Sequence, residues 1–223
     1  MFVRMWMTTK VITVPAETPI LDAREVMRKN NIRRLPVVNK KGKLVGMVTQ
    51  GDIQEAGPSD ATTLSIWELN YLLARTTVEQ IMTKASDLIT VGPDDPIEQA
   101  ALLMRKHRIS GLPVLDDKEK LVGIITESDV FEVLLELMGM RKGGTRLTVE
   151  LENEPGALSE ALEVVKQHEV NVFSVVTCEE CRTTRDRGVV VLRLASKDWR
   201  PIVKDLKDKE IKVLDARSIE ETK

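Results

Sequence analysis

The chain of 223 residues is 42% hydrophobic and 30% charged, which supports a buried core and excludes a disordered chain; only 3% of it is aromatic. Lysine and arginine number 33 against 35 aspartates and glutamates, a formal charge of −2, so no global positive field is available to hold nucleic acid or an anionic membrane. Two cysteines and two histidines leave at most one marginal zinc site, which would need four such ligands.

The first residues, Met1 to Met7, lack the charged and apolar regions of a signal peptide. Residues 14–52 align without a gap on residues 91–129 at an offset of 77, and 18 of those 39 positions are identical, among them Pro36/Pro113, Gly46/Gly123, Thr49/Thr126 and Asp52/Asp129. Met7-Thr8 recurs as Met82-Thr83 at an offset of 75. Each copy reads as β-α-β-β-α. In the first, a strand at 11–14 precedes a proline-containing turn, and a helix carries Ile20, Ala23, Val26 and Met27 on one face. Strands at 35–39 and 44–49 are joined by the charged turn Lys40-Lys41-Gly42-Lys43, and a second helix starts at Asp52. The second copy repeats this order, with its first strand at 88–91 and its helical face at Ile97, Ala100, Leu103 and Met104. Such a unit is too small to bury its sheet alone, so two copies are expected to pack about a pseudo-twofold axis.

The predicted bounds are 1–57 for the first copy, 58–76 for a segment with a helix at 64–74 containing Trp67 and Tyr71, 77–139 for the second copy, 140–145 for a linker and 146–223 for a third unit. The apolar run Val130 to Met140, interrupted by Glu132 and Glu136, is shorter than the roughly 20 residues of a membrane span and reads as an amphipathic helix. In the third unit a strand at 146–152 is followed by a helix bearing Leu158, Ala161, Leu162 and Val165. Strands at 170–178 and 188–194, a helix at 199–207 and a strand at 212–216 complete β-α-β-β-α-β. That is the ferredoxin-like order. The fold class is α+β.

In both copies the last strand runs into Gly-x-x-Thr-x-x-Asp. A hydroxyl at a strand end and a carboxylate just beyond it can converge on a vicinal diol such as ribose, the carboxylate accepting both hydroxyl protons. The alternative makes Asp52 and Asp129 plain N-caps, with Thr49 and Thr126 as β-branched strand residues. Arg33-Arg34 suits a phosphate or, equally, complements a helix end; the second copy has Ser110-Gly111 there, just after His107-Arg108. Cys178-Glu179-Glu180-Cys181 is open to three readings: inert reduced thiols, a metal site completed by His107, His168 or a second subunit, or redox chemistry. His168 reads as a helix-end residue. With no nucleophile–base pair and no glycine-rich phosphate loop in view, no catalytic residue is predicted.

The Met-Thr dipeptides, Ile-x-x-Leu-Pro-Val at 32–37 and 109–114, and Leu-Val-Gly-x-x-Thr-x-x-Asp at 44–52 and 121–129 resemble a tandem pair of CBS domains over residues 4–138. The resemblance implies two symmetry-related clefts that bind adenosine nucleotides such as AMP or ATP, or S-adenosylmethionine. It implies that Thr49, Asp52, Thr126 and Asp129 hold ribose. Around them Thr9, Lys10, Val11, Lys84, Ser86 and Leu88, with Arg33, Arg34, Leu35, Pro36, Ser110, Gly111, Leu112 and Pro113, would shape the adenine and phosphate pockets. The Arg33-Arg34 asymmetry predicts unequal affinities, and the scarcity of aromatics predicts an adenine held by aliphatic side chains and backbone.

Asn153-Glu154-Pro155-Gly156-Ala157-Leu158 resembles the ACT domain, a regulatory module, and implies amino-acid contacts at Asn153, Gly156, Ala157, Leu158 and Asn171, with a helix N-terminus attracting the carboxylate. Without a ligand, Asn153 and Pro155 only cap and start the helix. The whole arrangement is similar to the acetoin-utilization protein B family. This implies a non-catalytic, cytoplasmic, homodimeric regulator that reads an adenine nucleotide (AMP, ADP or ATP) as its regulatory ligand, without other cofactor, and passes the result to a protein target by conformational change. The rivals are a thiol enzyme using Cys178 and Cys181, a component of acetoin breakdown, and a structural dimer with empty clefts.

Overall fold

The computed structural model describes residues 1–57, 73, 75–178, 181 and 186–220. Apart from residue 73, the helix expected at 64–74, with Trp67 and Tyr71, lies outside the described residues. The chain divides into two compact units, residues 1–130 and 131–223.

In the first copy the elements are β1 (Val14–Pro15), α1 (Ile20–Lys29), β2 (Arg34–Val38), β3 (Leu44–Thr49) and α2 (Gln50–Glu55). In the second they are α3 (Val78–Ile81), β4 (Thr83–Lys84), α4 (Ile97–His107), β5 (Gly111–Leu115), β6 (Leu121–Thr126) and α5 (Glu127–Leu137). The leading strands are shorter than expected. Only Val14 and Pro15 pair, in parallel with Val37 and Val38, and the strand expected at 88–91 is a single bridge from Val91 to Val114. Pro15 and Pro93 have no N–H to give, so neither pairing is carried further on the C-terminal side. The apolar faces fall as the spacing predicts. Ile20, Ala23 and Met27 in α1 and Ile97, Ala100 and Met104 in α4 are buried, and Leu35, Val37, Leu112 and Val114 from β2 and β5 are fully buried in the core.

The copies exchange their leading segments. β4, near the start of the second copy, pairs antiparallel with β3 of the first (Gly46 with Lys84, Met47 with Thr83), and Thr8, near the start of the first, bridges to Ile124 in β6. The same exchange recurs at the helix entrances. Ile20 N donates to Thr76 O and Ile97 N to Met1 O, both at 3.0 Å. The glycine of Gly-x-x-Thr is required by this close approach. A Cβ on Gly46 would stand 2.5 Å from Met82 Sδ and 2.7 Å from Thr83 O, and one on Gly123 would collide with Met7 Sδ.

The second unit begins within α5 at Phe131 and continues as β7 (Gly144–Glu152), α6 (Ala157–Gln167), β8 (Val172–Cys178), β9 (Arg187–Leu194), α7 (Arg200–Asp208) and β10 (Lys212–Ile219). Its sheet, β10-β7-β9-β8, is antiparallel throughout, as the ferredoxin-like reading expects. Leu147, Val149 and Leu151 alternate onto one face and cluster with Ala161, Val164 and Val165 of α6 and Ile202 and Leu206 of α7. Gly156 is the N-cap of α6, at φ +105, a backbone region that favours glycine; this corrects the assignment of the cap to Asn153 and of the first turn to Pro155. Among the described residues no helix is long and apolar enough to cross a membrane.

Candidate functional site

At the end of β3, Thr49 is the N-cap of α2. Its Oγ1 accepts from the Asp52 N–H at 3.2 Å, while Asp52 Oδ2 accepts from the Thr49 N–H at 2.7 Å and from Thr49 Oγ1 at 2.9 Å. This is a reciprocal capping box. At the end of β6 the Thr126 N–H and Oγ1 both donate to Asp129 Oδ2 at 2.7 Å. The threonine is therefore the cap in the first copy and the aspartate stands at the third helical position, which corrects the expectation that Asp52 caps and opens the helix. The cap and ribose readings also cease to be alternatives. Both bonds end on Oδ2, so among the described residues Oδ1 of Asp52 and of Asp129 keeps its acceptor capacity for an incoming hydroxyl.

Each Thr–Asp pair lines a cavity built from both copies. Cleft one, about 810 Å³, takes Thr49, Asp52, Arg33, Arg34, Leu88, Ser110, Gly111 and Pro113 from the residues predicted by sequence. Cleft two, about 470 Å³, takes Thr126, Asp129, Lys10, Val11, Arg33, Arg34, Pro36 and Ser110. Both have aliphatic walls: Met47, Ile89 and Ile109 in the first, Ile12, Ile32 and Ile124 in the second. Not every predicted residue reaches a cleft. The Leu35 and Leu112 side chains turn into the core, Lys84 is tied into β4 opposite Gly46, and Thr9 and Ser86 are exposed outside both linings. Gln50 and Glu127 are cleft residues that sequence reasoning did not single out. They occupy a variable position of the repeated motif, so the identity that flags the motif passes over them.

Arg33 and Arg34 stand outside α1, which ends at Lys29, so the helix-end alternative for them is set aside. Arg34 opens β2 and crosses toward the second copy, where its Nη2 donates to Ser110 Oγ. A Cβ on Gly111 would collide with Arg34 Nη1, so the glycine makes room for the guanidinium. Burial pushes the Arg34 guanidinium below its ordinary value, opposed by the attraction of Glu127 and assisted by the like charge of Arg33.

In the second unit a cavity of about 500 Å³ is lined by Asn153, Pro155, Ala157, Leu158, Thr177 and Cys178, among others. Gly156 is absent from its lining, and Asn171 lies at the opposite end of β8, where its Oδ1 accepts from the Val172 N–H at 3.0 Å. Cys178 and Cys181 form a disulfide across a Cα separation of 5.2 Å, which corrects the expectation of reduced thiols; joined in this way they offer no thiolate to a metal. His168 ends α6 as expected, its Nε2 2.9 Å from Asp205 Oδ2.

Comparison with known proteins follows the same division. Residues 3–59 and 78–136 match the CBS domain family, and residues 143–217 match the TTHA0829-like ACT domain. The L-aspartate semialdehyde sulfurtransferase of Methanocaldococcus jannaschii is 36% identical over 119 residues, 53% of this chain and 20% of that protein, so the chain spans about a fifth of the length of this relative. The crystal structure of the CBS domain pair of protein MJ0100 in complex with 5′-methylthioadenosine and S-adenosyl-L-methionine matches with 34% identity and a TM-score of 0.50, covering 60% of this chain and 95% of that one. A putative acetoin utilization protein from Vibrio cholerae matches with 31% identity and a TM-score of 0.51, covering 63% of this chain and 94% of that one.

Proposed function

Since the chain belongs to the CBS domain family, as a tandem pair followed by an ACT-like domain, we propose that it is a non-catalytic regulatory protein whose paired clefts bind adenosine-containing ligands. The carrying observation is the twice-occurring Thr–Asp pair, in which a cap fixes the carboxylate by one oxygen and leaves the other as the acceptor a ribose diol needs. Aliphatic walls suit an adenine, and Arg33 and Arg34 suit its phosphate. The adenosine ligands named for the MJ0100 domain pair support this ligand class. A nucleotide that binds one arrangement of the chain better than another shifts the population, and a protein target reads the shift. Calorimetric titration with adenosine, AMP, ADP, ATP and S-adenosylmethionine tests the reading. Heat is expected for the wild type and its loss in Asp52→Ala/Asp129→Ala; silence across the panel, or unchanged binding in a folded double variant, overturns it and leaves a structural dimer.

For the second unit the reading is an amino acid in the Asn153–Leu158 cavity, its carboxylate near the start of α6 at Leu158. The roughly 500 Å³ cavity at that turn supports it. Titration with a panel of branched-chain and other amino acids tests it, and no heat across the panel reduces the unit to an assembly element of a homodimer.

A further inference from the structure

Among the described residues the two clefts do not differ in formal charge with histidine neutral, since each lining carries three arginine or lysine side chains and two carboxylates. They differ in which cations are their own. Arg33 and Arg34 line both clefts, so four of the six places on the two linings are filled by the same two residues. Among the described residues the unshared arginine or lysine is Arg108 in cleft one, beside the His107 imidazole, and Lys10 in cleft two. Sequence symmetry explains why there is a single pair. The equivalents of Arg33 and Arg34 in the second copy are Ser110 and Gly111; Ser110 Oγ receives the Arg34 Nη2 bond, and Gly111 leaves the space that Nη1 fills. A second arginine at position 111 would need the volume the first already occupies.

We propose that Arg33 and Arg34 are one anion-binding pair shared by the two clefts, so that a chain holds a single phosphorylated adenosine ligand while the other cleft takes only a phosphate-free one. The inference rests on the adenosine reading above. Once a phosphate engages the pair, the described lining of the remaining cleft keeps one arginine or lysine against two carboxylates: Lys10 against Glu127 and Asp129, or Arg108 against Asp52 and Asp87. A second phosphate then meets net negative charge, a repulsive element that discriminates by ligand charge. The first phosphate goes to cleft one. On the cleft-two side Glu127 stands close enough to Arg34 to attract its guanidinium, whereas the corresponding position of cleft one is the uncharged Gln50, with Arg108 on the same lining.

The experiment is calorimetric titration of the whole chain with AMP, with 5′-methylthioadenosine, and with the second after saturation by the first. The expected stoichiometries per chain are one AMP, two 5′-methylthioadenosine, and one 5′-methylthioadenosine on top of bound AMP. Any further AMP is expected to bind at least roughly tenfold more weakly. Arg34→Gln is expected to lose AMP and keep both 5′-methylthioadenosine sites, with Arg34→Lys retaining part of the AMP affinity; an unchanged melting temperature separates this from misfolding. Two equal AMP sites in the wild type, or undiminished AMP binding in a folded Arg34→Gln, overturns the sharing. Silence with both ligands overturns the adenosine reading itself and the sharing with it, an outcome distinct from two equal AMP sites.

Discussion

The two copies of the repeat agree where backbone and ribose would be held and disagree at the charged positions around them. Gly46 and Gly123 receive the other copy's Met-Thr segment, Leu35 and Leu112 fill the core from equivalent strands, and the two Thr–Asp pairs fix the same helix entrance. Against this, Arg33-Arg34 faces Ser110-Gly111, Gln50 answers to Glu127 and Asn31 to Arg108, all of them cleft residues. Asn31 and Arg108 even share a left-handed backbone, at φ 52 and φ 56, so the frame is preserved to the dihedral while the chemistry on it changes. Duplication here constrains the fold and the Thr–Asp pairs twice and leaves the phosphate end of the ligand wall free to diverge.

That comparison can be broken by paired substitutions. The largest effect is expected from Leu35→Ala and Leu112→Ala, each costing about 2–5 kcal/mol in urea unfolding because a fully buried leucine leaves a cavity. Equal losses sustain the equivalence of the two cores, and a loss confined to one copy breaks it. Next come Gly46→Ala and Gly123→Ala, expected to cost about 1–3 kcal/mol as the added Cβ meets the exchanged segment. Gly188→Ala, with nothing within 4 Å of its Cβ, serves as the near-neutral control. Thr49→Ala removes the cap of α2 and is expected to cost about 1 kcal/mol, and Thr49→Ala and Thr126→Ala are both expected to lower ligand affinity as the aspartates lose a hydroxyl anchor.

The smallest effect belongs to the two hairpin turns, joined by Lys43 Nζ and Glu119 Oε2 at 2.7 Å. Hydrogen bonding to Lys43 holds the Glu119 carboxyl below its ordinary value. A depressed carboxylate contributes stability that is present above its unfolded value and is lost as pH falls through the folded one. The melting temperatures of the wild type and Lys43→Ala should therefore differ slightly at neutral pH and converge on acidification. Both side chains are largely exposed, so salt should erase the difference too.

Periodicity and self-alignment made much of this molecule legible. The strand at 44–49 and the buried faces of α1 and α4 stand where the spacing predicts, since those patterns are local. The exchange of leading segments was not legible, because which strand accepts Met82-Thr83 is a non-local choice; the changed offset of the dipeptide was its only trace. The same holds for the Cys178–Cys181 bond, since the spacing alone leaves reduced thiols, a metal site and redox chemistry open. At the site, the Thr–Asp pairs were readable because they repeat. Gln50, Glu127 and the fit of Arg34 against Gly111 were not, because what differs between copies carries no repeat signal and a side-chain fit is visible only in three dimensions.

The central claim is that adenosine ligands are held in both clefts by the free oxygen of each capped aspartate. A crystal structure of the chain grown with AMP and 5′-methylthioadenosine together tests it most directly. The account predicts one ligand in each cleft, with ribose hydroxyls within hydrogen-bond reach of Asp52 Oδ1 and Asp129 Oδ1 and the AMP phosphate on Arg33 and Arg34. Empty clefts at saturating ligand, or adenosine bound away from both aspartates, would contradict it.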